Sequence, residues 1–232
     1  MLEISLSRVD AVLFDLDGAL IDTAPDLAAA LNAVLKKNNR STLPYSAIRP
    51  TVSNGANGLI KLGFGDSLSS EQHEKIKADL IAYYQQHIAD KSRLFEGLDS
   101  ALLHLERNNI PWGIVTNKPE YLTRPLLKKL SLLDKSSCVV CGDQVANSKP
   151  HPEPIFLACK QLDVMPENTL YIGDAERDIR AGRLAGLKTI ACAYGYIPDT
   201  EDINAWQANT LVETPQELLA LLTSIRLKGQ SI

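Results

Sequence analysis

The apolar positions change their rhythm twice along this chain. The run Ala11-Val12-Leu13-Phe14 is short and unbroken, as expected for a strand buried on both faces, and it stops abruptly at Asp15-Leu16-Asp17-Gly18. From about residue 23 to 91 the spacing is helical, with no stretch that reads as a strand. Thr23 and Pro25 open a helix through Ala28-Ala29-Ala30-Leu31-Asn32-Ala33-Val34-Leu35, and Gln72 to Ile88 repeats apolar residues at helical intervals. From about Leu94 helices and short apolar strands alternate. A helix from Leu98 to Arg107 precedes the strand Trp112–Val115, and a helix from Tyr121 to Leu130 precedes Cys138–Cys141. A helix from Pro154 to Leu162 then precedes Thr169–Ile172, and one from Arg177 to Leu184 precedes Lys188–Ala191. Strands alternating with helices predict an α/β protein with an open parallel sheet covered on both faces, and the stretch after the first strand predicts an all-helical insert.

In such a sheet ligands bind outside the carboxyl ends of the strands. Three predicted strands end in unusual polar residues: Asp15 and Asp17 follow the first, Thr116 and Asn117 a middle one, and Gly173-Asp174 with Asp178 a later one. Lys149 lies before Pro150, in the loop leading to another helix. Strand ends need no such residues for stability, and carboxylates this close repel each other and resist desolvation.

Composition narrows the chemistry. The chain has 232 residues and a formal net charge of -4, with a pI near 5.6. This gives no general attraction to nucleic acid or to an anionic membrane. No stretch approaches a spanning length and the N-terminus lacks a signal-peptide pattern, so a cytoplasmic location is expected. Four scattered cysteines make no disulfide framework, and Cys138-Val139-Val140-Cys141 reads as a strand with buried thiols, not as a redox motif. The four histidines show no metal-ligand spacing.

Asp15, Asp17, Asp174 and Asp178 facing the single amine of Lys149 would leave a strongly negative crevice. A hard divalent cation resolves this, and Mg2+ suits carboxylate and water oxygens. Calcium held in an EF-hand loop from Asp15 fails, because Leu20 stands where that loop needs glycine. A phosphate monoester could then bridge the metal and Lys149 while Asp15 attacks phosphorus, forming an aspartyl-phosphate. Asp17 would protonate the leaving alkoxide and later deprotonate the hydrolytic water. Thr116 and Asn117 would hold phosphate oxygens through hydroxyl and backbone amide. Asp15, Asp17 and Asp174 are the candidate metal residues, with Asp178 fixing the metal through water or orienting Lys149. Asn54-Gly55 and Lys118 are candidates for reading the leaving group, although Asn-Gly is equally an ordinary turn. Arg124 reads as a surface charge, whereas Tyr194 and Tyr196 fit either a crevice wall or a packed loop.

Asp15-Leu16-Asp17-Gly18, Thr116-Asn117, Lys149-Pro150 and Gly173-Asp174-Ala175-Glu176-Arg177-Asp178, in this order, resemble the four motifs of the haloacid dehalogenase superfamily of phosphohydrolases. The resemblance covers nearly the whole chain. It implies a Rossmann-like core formed by residues 1–20 and 92–232, a helical cap at 21–91, a magnesium cofactor and the roles given above. Leu20-Ile21-Asp22-Thr23-Ala24-Pro25-Asp26-Leu27 and Ser53-Asn54-Gly55-Ala56 are similar to the phosphoglycolate phosphatase-like branch. Within that branch, Ser92–Gly97, Trp112–Pro119, Asn147–Pro150 and Tyr194-Gly195-Tyr196 resemble N-acetylmuramic acid 6-phosphate phosphatases of cell-wall recycling. One departure is Ala19, where the family usually carries Thr or Val. The implied partner is a small-molecule phosphate ester, acted on by a monomer or homodimer. The same motifs also serve a sugar phosphomutase or a catalytically silent phosphosugar-binding protein, while a dehalogenase has no use for Asp17 or Asp174.

Overall fold

The computed structural model describes residues 9–224. Residues 1–8 and 225–232, the outer ends of the expected core segments, lie outside the described residues, as does the N-terminal stretch expected to lack a signal. Strand β1 (Ala11–Phe14) leads through the Asp15–Gly18 turn to the short β2 (Ile21–Asp22). Four helices follow: α1 (Ala24–Lys37), α2 (Tyr45–Ile48), α3 (Gly55–Phe64) and α4 (Ser70–Gln86), with a 3-10 turn at Arg49–Asn54 ahead of α3. The rest alternates: β3 (Arg93–Leu94), α5 (Leu98–Arg107), β4 (Trp112–Thr116), α6 (Glu120–Lys129), β5 (Cys138–Cys141) and α7 (Glu153–Leu162). Then come β6 (Thr169–Gly173), α8 (Glu176–Leu184), β7 (Lys188–Cys192), β8 (Thr210–Val212) and α9 (Pro215–Ser224).

Six strands form one parallel sheet in the order β5-β4-β1-β6-β7-β8. Alternation within β1 divides the core in two. Val12 and Phe14 join one apolar layer with Trp112, Ile114, Leu170 and Ile172. Leu13 turns to the other face with Val115, Val140 and Tyr171. Apolar residues on both faces explain why these strands carry continuous apolar runs. The chain steps outward from β1 through β4 to β5, then returns to β6 on the other side of β1. That reversal opens a crevice at the carboxyl end of β1, and it brings the ends of β4, β1 and β6 side by side.

The expected elements therefore appear, with boundaries that match or shift by one or two residues. Not foreseen were β8, α9 and the two-stranded ladder of β2 and β3, which pairs Ile21 with Leu94 and Asp22 with Arg93. This ladder joins the places where the chain leaves the sheet and returns to it. Beside it the buried carboxylate of Asp26 accepts hydrogen bonds from the amides of Lys91 and Ser92 and from Ser92 Oγ. A carboxylate satisfied by three donors is stable inside a protein where a bare one is not. The helical layer is continuous with the larger core through Leu27, Leu31, Leu59, Leu80 and Tyr84. At its far end α4 starts on a reciprocal cap, with Ser69 Oγ accepting from the Gln72 amide and the Gln72 side chain accepting from the Ser69 amide. No helix among the described residues is long and apolar enough to cross a membrane.

Cys138 and Cys141 are buried, free thiols. Burial pushes them up to about 12 and about 11, so neither is an activated thiolate at neutral pH.

Candidate active site

Lys149 anchors the crevice. Its ammonium is buried and lies 2.7 Å from Asp15 Oδ1 and 2.8 Å from Asp178 Oδ1. It also donates to the Val115 carbonyl at 2.8 Å and to the Tyr171 hydroxyl at 2.7 Å. Burial alone would lower the Lys149 pKa, but Asp15 and Asp178 outweigh it and raise it, so the amine stays charged. Its main chain is held equally firmly: the Asn117 carboxamide donates to the Lys149 carbonyl at 2.9 Å and accepts from the Lys149 amide at 3.0 Å. The Asn117 side chain is thus committed to shaping the loop, which leaves its backbone as the group for a ligand. Thr116 is buried at the end of β4, and its Oγ1 accepts from the Lys118 amide at 3.1 Å.

Asp15, Asp174 and Asp178 place carboxylate oxygens within 4.8 Å of one another, all buried, in an arrangement that can hold a metal ion. Asp174 Oδ2 accepts from the Tyr196 amide at 2.8 Å and from Ser53 Oγ at 3.1 Å, whereas Oδ1 is buried with no hydrogen-bond partner among the described residues. A lone carboxylate oxygen beside two more carboxylates is a cation ligand in waiting. Burial first, then the charges of Asp15 and Asp178, raise Asp174 to about 8. Burial raises Asp15 to about 6 against the pull of Lys149. Both shifts come first from burial, and the neighbouring carboxylates add to it. Close packing keeps the cluster in place: a Cβ on Gly18, whose φ is +93°, would lie 2.1 Å from Asp174 Oδ2, and one on Gly195 would lie 2.2 Å from Asp174 Cβ.

Asp17, also expected at the metal, turns its side chain elsewhere. Its carboxylate is not part of the cluster; Oδ1 accepts from Lys118 Nζ at 2.9 Å and from Thr23 Oγ1 at 2.5 Å. The strand ends at Phe14 and the chain turns through Gly18, so Asp15 and Asp17 point to different partners. Asp178, expected behind the metal, lies within the cluster and also orients Lys149. Burial would lower the pKa of Lys118, but Asp17 outweighs it and raises it.

A cavity of about 590 Å³ opens over these groups, lined on the sheet side by Asp15, Asp17, Thr116 and Lys149. Asn54, Gly55 and Lys118 also line it. Arg124 instead pairs with Glu120 at the surface. Tyr196 is a packed post: its hydroxyl accepts from the amides of Thr23 and Ala24 and donates to Asp22. Tyr194 donates to the carbonyl of Ala19, whose own side chain is fully buried.

Several site residues were given no role in the crevice by the sequence. Thr23, Ser53, Arg49 and Arg177 join the helical layer to the strand ends. Arg49 donates to the carbonyls of Tyr194 and Gly195, and Arg177 donates to that of Ser53 at 2.6 Å. Their roles depend on partners more than a hundred residues away, except for Thr23, which lies within the first motif region.

A parallel sheet with buried carboxylates and a buried amine at its switch point forms an acidic crevice able to hold a cation. The model of the family "Haloacid dehalogenase-like hydrolase" matches residues 12–192, and the chain belongs to that family. It is 40% identical over 217 residues to an N-acetylmuramic acid 6-phosphate phosphatase of Pseudomonas putida, covering 94% of this chain and 97% of that protein. It is 38% identical over 208 residues to a phosphoglycolate phosphatase of Xanthomonas campestris, covering 90% and 94%. A crystal structure described as a predicted phosphoglycolate phosphatase from Haemophilus somnus superposes with a TM-score of 0.83 at 25% identity, covering 94% of this chain and 99% of that one. The β-phosphoglucomutase of Clostridium difficile shares the fold, with a TM-score of 0.67 at 24% identity over 91% of this chain and 93% of that one.

Proposed function

We propose that the protein is a magnesium-dependent phosphomonoester hydrolase that works through an aspartyl-phosphate on Asp15. The observation that carries this reading is the Lys149 bridge between Asp15 and Asp178, beside the unpartnered Asp174 oxygen. The donor set fits Mg2+, which when bound would neutralise phosphoryl oxygens and let a carboxylate approach phosphorus. Asp15, Asp174 and Asp178 would hold it. Lys149 would supply the second positive charge, and Thr116 Oγ1 with the Asn117 amide would bind phosphoryl oxygens. Asp17 would donate its proton to the leaving alkoxide and take one back from the water that cleaves the intermediate. Lys118 and Thr23 fix its orientation while leaving it at the cavity wall. Residues 21–91 would act as the cap and residues 1–20 with 92–232 as the core, with Arg49, Ser53 and Arg177 holding the two together over the site.

The ester is a small phosphorylated metabolite of the kind named in the relatives, N-acetylmuramic acid 6-phosphate or 2-phosphoglycolate. Phosphate release with Mg2+ from these two, other sugar phosphates and p-nitrophenyl phosphate tests the reading. Release from any of them supports a phosphatase, whereas transfer to a second sugar hydroxyl without free phosphate would mark a mutase. Binding with no turnover would mark a silent protein.

A further inference from the structure

One face of α4 forms the cavity wall opposite the reacting carboxylates. Lys77, Leu80, Ile81 and Tyr84 all line it, at positions i, i+3, i+4 and i+7 of the helix. Their chemistry is graded. Tyr84 is deepest, 1% exposed, with its ring 4.7 Å from Lys118 Nζ and its hydroxyl without a hydrogen-bond partner among the described residues. Because Lys118 grips Asp17, Tyr84 marks the end where the ester bond lies. Leu80 and Ile81 give an apolar middle. Lys77 ends the row, partly exposed, and the one ion pair it makes among the described residues is a loose 4.0 Å contact with Glu74.

The other cavity cations are engaged. Lys149 is taken by Asp15 and Asp178, Lys118 by Asp17, and Arg177 by the Ser53 carbonyl. Among the described residues Lys77 is therefore the most loosely held cavity cation, and seven residues of helix set it about 10 Å from Tyr84.

We infer that this α4 face reads a leaving group that is a sugar ring carrying a carboxylate remote from its phosphate. The Tyr84 hydroxyl pairs with a ring substituent near the ester, Leu80 and Ile81 cover the ring's apolar face, and Lys77 binds the distant carboxylate. A buried hydroxyl left unpaired is stabilised when a ligand supplies its partner, so it favours esters that present one. In 2-phosphoglycolate the carboxylate sits on the carbon that bears the phosphate, too near to reach Lys77. In a sugar 6-phosphate with an acidic ether arm across the ring, the two anions stand at opposite ends. The inference rests on the phosphatase reading and chooses between its two substrate classes.

The test compares kcat/KM with Mg2+ for N-acetylmuramic acid 6-phosphate, the same sugar phosphate without its acidic arm, and 2-phosphoglycolate. The wild-type protein is expected to favour the first by about tenfold or more over the other two, the scale of one hydrogen bond to a charged group. Lys77→Ala should collapse the ratio of the first to the arm-less sugar, mainly through KM, and Lys77→Arg should keep it. Tyr84→Phe should lower both sugar esters by about fivefold relative to 2-phosphoglycolate. A wild-type preference for 2-phosphoglycolate, or equal losses on all three esters in Lys77→Ala, would overturn the inference while leaving the phosphatase reading intact. No phosphate release from any ester would overturn both.

Discussion

The two walls of the cavity are built on different terms. On the sheet side, Asp15, Asp17, Lys149 and Asp178 each bond to at least one charged or polar partner, and Lys149 alone makes four such contacts. On the helical side, Tyr84 keeps an unpaired hydroxyl and Lys77 a loose ion pair. The first wall is pre-organised for one charge pattern and has little freedom to adapt. The second offers groups that wait for a ligand. The strand ends carry the candidate chemistry, and the α4 face is the proposed reader of the leaving group.

The largest expected break in this comparison is Asp15→Asn. It should lower turnover by on the order of 10⁴-fold or more, as loss of a nucleophile does, while circular dichroism stays unchanged. Chelation by EDTA should silence the protein as fully, and added Mg2+ should restore it; full activity in chelator would remove the cation from the account. Asp17→Asn should cost about 10²- to 10⁴-fold in kcat/KM, which reports the steps up to leaving-group release, for esters with poor leaving groups, the range for a general acid-base group. p-Nitrophenyl phosphate, whose leaving group needs no proton, should lose less, and equal losses on both would contradict that role. Both variants strike the sheet wall, so their effects should dwarf those of Lys77 and Tyr84 changes.

A smaller effect concerns pH. Asp15 and Asp174 are raised to about 6 and about 8 in the metal-free fold, against an ordinary carboxylate value of 3.8. Between about pH 4 and pH 8 the unfolded chain gives up these protons before the folded one does. The folded state then binds more protons, and these groups make stability fall as pH rises through that window. Mg2+ replaces those protons, so its stabilising effect should grow with pH. The Mg2+-induced rise in Tm should exceed that at pH 5.5 by about 3 °C or more at pH 8, the equivalent of roughly 1 kcal/mol in a chain of this size. A rise independent of pH would mean the cluster is not where the ion sits.

The contrast between the walls also explains what could be read from sequence. The sheet wall is legible because each strand delivers its polar residues within a few positions of its own end. Asp15, Thr116, Lys149 and Asp174 were identified from local motifs, and the strand order brings them together. Asp17 shows where that reasoning stops. Its identity and position were evident, but the turn through Gly18 sends its carboxylate to Lys118 and Thr23 and away from the cluster. The helical wall is less legible. The periodicity of α4 is evident, yet nothing local says that its Lys77-to-Tyr84 face, and not another, meets the crevice. The part played by Arg49, and by Arg177 within its motif, is likewise not legible, because each bonds to a carbonyl far along the chain. The β2–β3 ladder is only two residues deep per strand, too short for alternation to show.

The central claim is that Asp15 carries the phosphoryl group between ester and water. The most direct test is to mix the Mg2+-loaded protein with a hydrolysed ester, quench in acid within a turnover, and map the modified residue by peptide mass spectrometry. The account predicts one added phosphoryl group on Asp15, absent in Asp15→Asn. A phosphoryl group on another residue, or steady phosphate release from Asp15→Asn, would contradict it.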